Sequence, residues 1–417
     1  MVNLPVTGLL AATVATITAT IAATDATTST QLQLPRLLGS YPVGTVNLEV
    51  TDHTRTVPST ATNASTNSTE PRRLMVSVFY PTTNATAKNG NASKSSSSRS
   101  RSSSGNNSTY QRAPYFASAT SAAAFATYLG NATTLLTNLA TWAYADAPLA
   151  ATHASVLLFS HGLGSSRLLH AAFLADLASR GWIVVAPDHP YDAWYTEYPD
   201  GSVARMPDAA LDDFPNELPR LVDTRVKDIT FLAGLLQNGS LWRGLSTSST
   251  VDIGILGHSL GGNTAAQTVA RSSSSSSSSS SFPCGANFDG GIFGPVAATG
   301  LDRPFLQIGA ANHNQTTDAT FSHFWSVLHG FRRELTVNST VHQSFMDLPV
   351  LRDVLGDEFP VDLRNQSGTA PGARLLQIET TLVDAFFRFC LTKTASSDDF
   401  DQVAKSLAPD IWPREVW

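Results

Sequence analysis

The chain has 417 residues, of which 42% are hydrophobic, so it has enough apolar material for a large core and enough length for two or three domains. Only 14% are charged and the net charge is -6. That leaves no basic surface to neutralise a nucleic-acid backbone, which excludes DNA and RNA as partners.

Residues 1–26 are almost wholly Ala, Thr, Val, Ile and Leu, with small residues at Ala22, Ala23 and Ala26 where a processing enzyme would cut. This pattern predicts a secretory signal, hence an extracellular protein whose mature part is 27–417. Eleven Asn-x-Ser/Thr acceptors support export as a glycoprotein: Asn63, Asn67, Asn84, Asn91, Asn106, Asn107, Asn131, Asn238, Asn314, Asn338 and Asn365. The two cysteines, Cys284 and Cys390, fit either a disulfide or two buried thiols. No later segment reads as membrane-spanning.

Alternation over 44–50 predicts an edge strand, and 72–81 repeats the pattern, so antiparallel strands should open the domain. Residues from about 82 to 109 are Asn, Ser, Lys and Arg with little to bury, which predicts a low-complexity insertion. The Ala/Thr/Leu-rich stretch 115–142 has helical spacing and is expected to cover the sheet or the mouth of a site. From 156 the pattern becomes strand 156–159, helix 168–180, strand 182–187, helix 222–236 and strand 253–256. A serine run at 272–281 predicts a second insertion. Strands follow at 286–289, 304–309 and 334–337, and a helix at 375–391 closes the domain. Such βαβ alternation predicts one α/β domain, a mostly parallel central sheet with helices on both faces.

Gly257-His258-Ser259-Leu260-Gly261 lies between the strand at 253–256 and a helix beginning near Asn263. That is the context of a nucleophile elbow in an α/β-hydrolase fold, and it makes Ser259 the candidate nucleophile. A serine hydroxyl needs a base, and the base an acid, in the chain order Ser, Asp or Glu, His. His342 follows the last central strand and is the favoured base; His313 is less natural, and His323 and His329 fall in or beside a helix. Asp289, at the end of its strand and followed by Gly290 and Gly291, is favoured as the acid over Asp318. Two backbone N–H donors are needed for the oxyanion, and Leu260 and Leu163, within Ser160-His161-Gly162-Leu163-Gly164, are the candidates. No metal-ligand spacing and no phosphate-binding glycine loop occurs, so neither metal nor cofactor is expected.

His161-Gly-Leu-Gly, Gly257-His-Ser-Leu-Gly-Gly262, Cys284-Gly-Ala-Asn-Phe-Asp289 and Val341-His-Gln-Ser-Phe345 resemble, in order and context, the platelet-activating-factor acetylhydrolases of the plasma and intracellular isoform II type. Tyr41 to Val50 and Arg225-Val-Lys-Asp fit as well. The resemblance implies a calcium-independent esterase acting on short sn-2 acyl chains of phospholipids, with possible peripheral contact to lipid surfaces, and the roles above for Ser259, Asp289, His342, Leu163 and Leu260. It also departs from the plasma type: where those enzymes carry an aromatic two places after the acid, this chain has Gly290-Gly291-Ile292-Phe293. Ile292 and Phe293 are expected to limit the acyl pocket. The alternatives are a general short-chain carboxylesterase or polyester hydrolase, or a non-catalytic binding protein on this fold; the last would be marked by loss of a triad residue, and all three have candidates.

Overall fold

The computed structural model describes residues 32–58, 69–83, 86–87, 109–129, 133–150, 155–207, 214–242, 251–274 and 282–413. The expected signal at 1–26, most of the 82–109 insertion and most of the serine run lie outside the described residues. The start of that run is helical: Ser272 to Ser274 form the last turn of the helix Leu260–Ser274, where the Ser272 hydroxyl bonds back to the Val269 carbonyl.

Among the described residues twelve strands join in one sheet. At its centre run Ile183–Pro187, Val156–Ser160, Ile253–His258, Gly285–Phe288, Phe305–Ala310 and Arg332–Val337 in spatial order, each parallel to the next. Strands covered on both faces read as continuous apolar runs rather than alternating ones, and Val156-Leu-Leu-Phe and Ile183-Val-Val-Ala are such runs. Their successive side chains still divide between two cores. Leu157, Phe159 and Val184 pack on the face carrying the helices Ala171–Ser179 and Gly372–Cys390. Val156, Leu158 and Ile255 pack on the other, against Phe214–Gln237 and Leu260–Ser274.

The N-terminal hairpin Val43–Pro58 and Thr69–Pro81 is antiparallel and joins the parallel strands through Ile183–Pro187. Val43–Pro58 is not an edge, however. Its first residues pair with a further strand, Leu139–Ala145, drawn from the stretch expected to be helical. That stretch is helical only over Ala119–Tyr128 and Thr133–Thr137; Trp142 belongs to the strand, where its indole donates to the Leu34 carbonyl. At the far end the chain does not close on the long helix. The helix Ser397–Ser406 follows, and Ile411–Pro413 then pairs antiparallel with Arg332–Val337.

Cys284 enters the strand Gly285–Phe288 and Cys390 ends the helix Gly372–Cys390, and the two are joined as a disulfide across 106 residues of sequence. A loop of that length loses much conformational entropy when cross-linked in the unfolded chain, worth roughly 4–5 kcal/mol. Cys390→Ser should therefore lower the urea midpoint markedly and, because the unfolded chain can then expand further, steepen the transition, and a reductant should do the same to the wild type. An unchanged midpoint in equilibrium unfolding would show that the bond contributes nothing to stability.

Candidate active site

The strand Ile253–His258 delivers Ser259 to the carboxyl edge of the sheet, where the chain turns abruptly into the helix Leu260–Ser274. The turn holds Ser259 at φ 57°, a left-handed conformation that side chains other than glycine rarely adopt. Its backbone N–H donates to the Phe288 carbonyl at 2.8 Å, which ties the turn to the next strand. Close packing around it admits no side chain: a Cβ on Gly261 would lie 1.9 Å from the Ser160 carbonyl oxygen, and one on Gly290 would lie 2.0 Å from that of Ser259. These glycines let three loops meet at one point.

Asp289 leaves its strand in the same left-handed conformation, φ 57°, and is almost fully buried. One carboxylate oxygen, Oδ2, lies 2.6 Å from Nδ1 of His342, and Nε2 of that ring is 2.9 Å from Oγ of Ser259. The structure thus brings the three sequence candidates into one hydrogen-bonded line, from residues 53 and 83 positions distant from His342. The His342 side chain is half-exposed while Asp289 is not. Asp289 is enclosed and the His342 ring opens to solvent.

The second oxygen of Asp289, Oδ1, accepts from the Ala310 N–H at 2.5 Å and faces Nδ1 of His313 at 2.8 Å. His313 in turn reaches Oδ2 of Asp318 through Nε2 at 2.7 Å. Asp318 is therefore not beside His342; it stands one histidine further along, its other oxygen accepting from the Thr320 N–H to cap the helix Ala319–Val327. Burial pushes the Asp289 carboxyl up, but hydrogen bonds from His313 and His342 outweigh it and hold the group well below the usual carboxylate range. Burial would lower His313, yet its bonds to Asp289 and Asp318 raise it to about 10. With an ordinary value of 6.5, the stability His313 contributes is complete below pH 6.5 and is lost as pH rises toward about 10. His323 lies within Ala319–Val327 and His329 just beyond it.

On the other side of Ser259, Gly162 packs against the serine: a Cβ there would sit 3.1 Å from that of Ser259. Neither Leu163 nor Leu260 has a backbone N–H partner among the described residues, as donors awaiting a developing oxyanion require. Their side chains meet Leu218, Leu221, Val222 and Val226 in a small apolar cluster separate from the two main cores. The loop carrying Leu163 is braced from beneath by fully buried charge. Arg225 grips both oxygens of Asp192 and donates to the His161 carbonyl, while His189 links Ser160 to Asp228 at 3.0 and 2.9 Å. Burial raises Asp228, but Arg72, paired with both its oxygens, drives it well below the usual range. His258, whose Nε2 meets the His342 carbonyl at 2.9 Å, is pushed well below 6.5 by burial first and by neighbouring imidazoles second, so it is neutral. As a neutral donor it pins the backbone of the base.

Ile292 does not bound the site. It is buried in the core beneath the sheet with Val269 and Phe282, and only Phe293 remains partly exposed. The first bulky side chain after Asp289 is thus part of the core. The bracing cations Arg72 and Arg225, and the position of His313, had no local signal in sequence beyond the resemblance around Arg225, because their partners come from distant segments.

A family model described as platelet-activating factor acetylhydrolase, isoform II, matches residues 26–199 and 230–410. The chain is 30% identical over 252 residues to a protein of Arthroderma benhamiae named probable 1-alkyl-2-acetylglycerophosphocholine esterase, covering 57% of this chain and 60% of that one. It is 24% identical over 220 residues to platelet-activating factor acetylhydrolase of Bos taurus, covering 46% and 48%. The chain therefore spans only about half to three-fifths of the length of these curated relatives. A solved ferulic acid esterase from Streptomyces cinnamoneus is similar with a TM-score of 0.70 and 27% identity, over 93% of this chain and 100% of that one.

Gly261→Ala should be among the costliest single-methyl additions in the protein, because its Cβ would meet backbone rather than a movable side chain. A loss of about 2 kcal/mol or more is expected in equilibrium unfolding. Wild-type stability in that variant would contradict the packing described for the turn.

Proposed function

The chain belongs to the platelet-activating factor acetylhydrolase isoform II family, and from that premise we propose that it is a secreted, calcium-independent serine esterase hydrolysing the short sn-2 acyl ester of phospholipids such as 1-alkyl-2-acetylglycerophosphocholine. The observation that carries the catalytic part is the Ser259–His342–Asp289 line, 2.9 and 2.6 Å between successive heavy atoms. In this reading Ser259 Oγ attacks the ester carbonyl and passes its proton to Nε2 of His342, whose other nitrogen is held by Asp289. The tetrahedral oxygen takes the N–H groups of Leu163 and Leu260. Collapse breaks the ester bond, and His342 returns the proton to the departing lysophospholipid oxygen, leaving acetyl on Ser259. Water, deprotonated by the same ring, attacks that acyl-serine and releases the acid with Ser259 restored. Nucleophile, proton transfer and charge stabilisation are all assigned to protein groups, so no step calls for a metal.

A broader carboxylesterase is the second reading, favoured by the likeness to a ferulic acid esterase along almost the whole chain. Because Ile292 is withdrawn into the core, the limit on acyl length falls instead to the apolar cluster of Leu163, Leu218, Leu221 and Leu260 beside the oxyanion groups. Ser259→Ala should remove ester hydrolysis with the fold intact, and Asp289→Asn should cost several orders of magnitude, ~10⁴ being common for such a loss. Wild-type rates across sn-2 chain lengths, beside p-nitrophenyl acetate and with EDTA present, decide between the readings. Decline with length supports the acetylhydrolase, equal rates indicate a broader lipase, and p-nitrophenyl turnover alone indicates the carboxylesterase. More than a tenth of the wild-type rate in Ser259→Ala would reject the nucleophile.

Export and glycosylation belong to the same proposal, supported by the leader composition, the acceptor density and the Cys284–Cys390 bond. Folding restricts which acceptors remain usable. Asn238 and Asn365 are exposed, whereas Asn314 is 1% exposed and its side-chain oxygen accepts from Thr316. Glycopeptide mapping of the secreted protein should find sugar on Asn238 and Asn365 and none on Asn314; occupancy of Asn314 would contradict the fold around that loop.

A further inference from the structure

Both ring nitrogens of His313 face carboxylates, Asp289 at 2.8 Å and Asp318 at 2.7 Å. An ionised carboxylate only accepts hydrogen bonds, so this geometry calls for an N–H on each nitrogen, which is the imidazolium form. Of the three donors on Asp289, namely the Ala310 N–H, His342 and His313, the last places a full positive charge on the oxygen opposite the base. Charge drawn to Oδ1 weakens the hold of Oδ2 on a proton at His342. We propose that His313 is a positioning residue of the esterase, a fixed cation that tempers Asp289 so that His342 gives up its proton, and becomes a competent base, at lower pH than it would beside an unshared carboxylate. The proposal rests on the catalytic reading of Ser259, Asp289 and His342 given above.

The surroundings isolate this arrangement. His313 is three-quarters enclosed, with the Phe321 ring 4.4 Å from its own. At the start of the helix Ala319–Val327 the capping Asp318 bonds to it; on the strand Arg332–Val337, Glu334 accepts from the Gln315 N–H at 3.0 Å. Facing His342, besides Asp289 and Ser259, is the His258 ring at 4.9 Å, neutral because it is buried. The elevation of His313 to about 10 agrees with a cation that persists throughout the working range of a serine esterase. Asp318 serves to keep that proton in place. Asp318, passed over as the acid, is thereby connected to the reacting groups through one ring.

His313→Gln keeps a neutral donor in reach of Asp289 and removes the charge. The acid limb of kcat/KM for p-nitrophenyl acetate should move to higher pH by about one unit, the size expected for a unit charge several ångströms away in a protein environment, while the plateau rate falls far less than in Asp289→Asn. Imidazole nitrogen NMR of histidine-labelled protein reads the same quantity without turnover: the His342 midpoint should rise in His313→Gln. In Asp318→Asn, which retains the helix cap, the His313 ring should lose its proton at lower pH than in the wild type. A purely structural His313 would lower stability or the plateau and leave these midpoints in place. A limb and a His342 midpoint that stay put or move down overturn the proposal, as does a neutral His313 ring at pH 7 in the wild type. If the wild type hydrolyses no ester at all, the esterase reading fails by itself and the NMR midpoints still decide the role of His313.

Discussion

Burying an ionised carboxylate costs several kcal/mol unless donors surround it, and the site is organised around meeting that demand at Asp289. The carboxyl edge of the sheet provides the donors from three separate segments: Ala310 at the end of one strand, His313 in the loop that follows it, and His342 beyond the next. Each segment is held by parallel pairing of Gly285–Phe288, Phe305–Ala310 and Arg332–Val337. The order of strands in space, rather than any single motif, therefore determines that the acid stays charged and that His342 is held in one orientation.

The nucleophile side follows a different logic, that of steric exclusion. Backbone segments at Ser160, Ser259 and Gly290 approach too closely for side chains at the intervening glycines, and Ser259 is held in a left-handed conformation as a result. Strain of this kind persists only where the surrounding structure over-determines it. Here the restraint comes from the Phe288 carbonyl on one side and from the loop braced by Arg225, Asp192, His189 and Asp228 on the other. Those buried ion pairs are weak evidence for net stability; their evident consequence is a rigid carrier for Gly162 and Leu163, and preorganised donors are what an oxyanion site requires.

Beside this machinery lies a separate apolar cluster. With Ile292 packed into the core, the side chains of Leu163 and Leu260 meet those of Leu218, Leu221, Val222 and Val226 on Phe214–Gln237. In the function proposed above, that cluster is where changes would alter the ester accepted without touching Ser259, Asp289 or His342. This is consistent with a family whose members and structural relatives bear names for different esters.

The sequence by itself determined what short-range physics controls. The glycine pattern about Ser259 allows only a tight strand-to-helix turn, the apolar runs at 156–159, 182–187 and 253–256 have the length and β-branching of buried strands, and the βα alternation requires a parallel sheet. The order Ser259, Asp289, His342 then left few candidates for each place, and the structure brings those three within hydrogen-bond reach. What only the tertiary structure decided are the contacts between segments with no local signature. Leu139–Ala145 became a strand because the open flank of Val43–Pro58 offered it hydrogen bonds, against helical spacing just before it. Cys284 and Cys390 were ambiguous until the helix Gly372–Cys390 lay across the sheet. His313, the less natural base by its place in the chain, acquires its partners only when the fold sets it between two carboxylates, one 24 residues before it and one five after. Periodicity records which face of an element is buried; which charges meet there depends on how distant strands are ordered, and no local pattern in the chain carries that information.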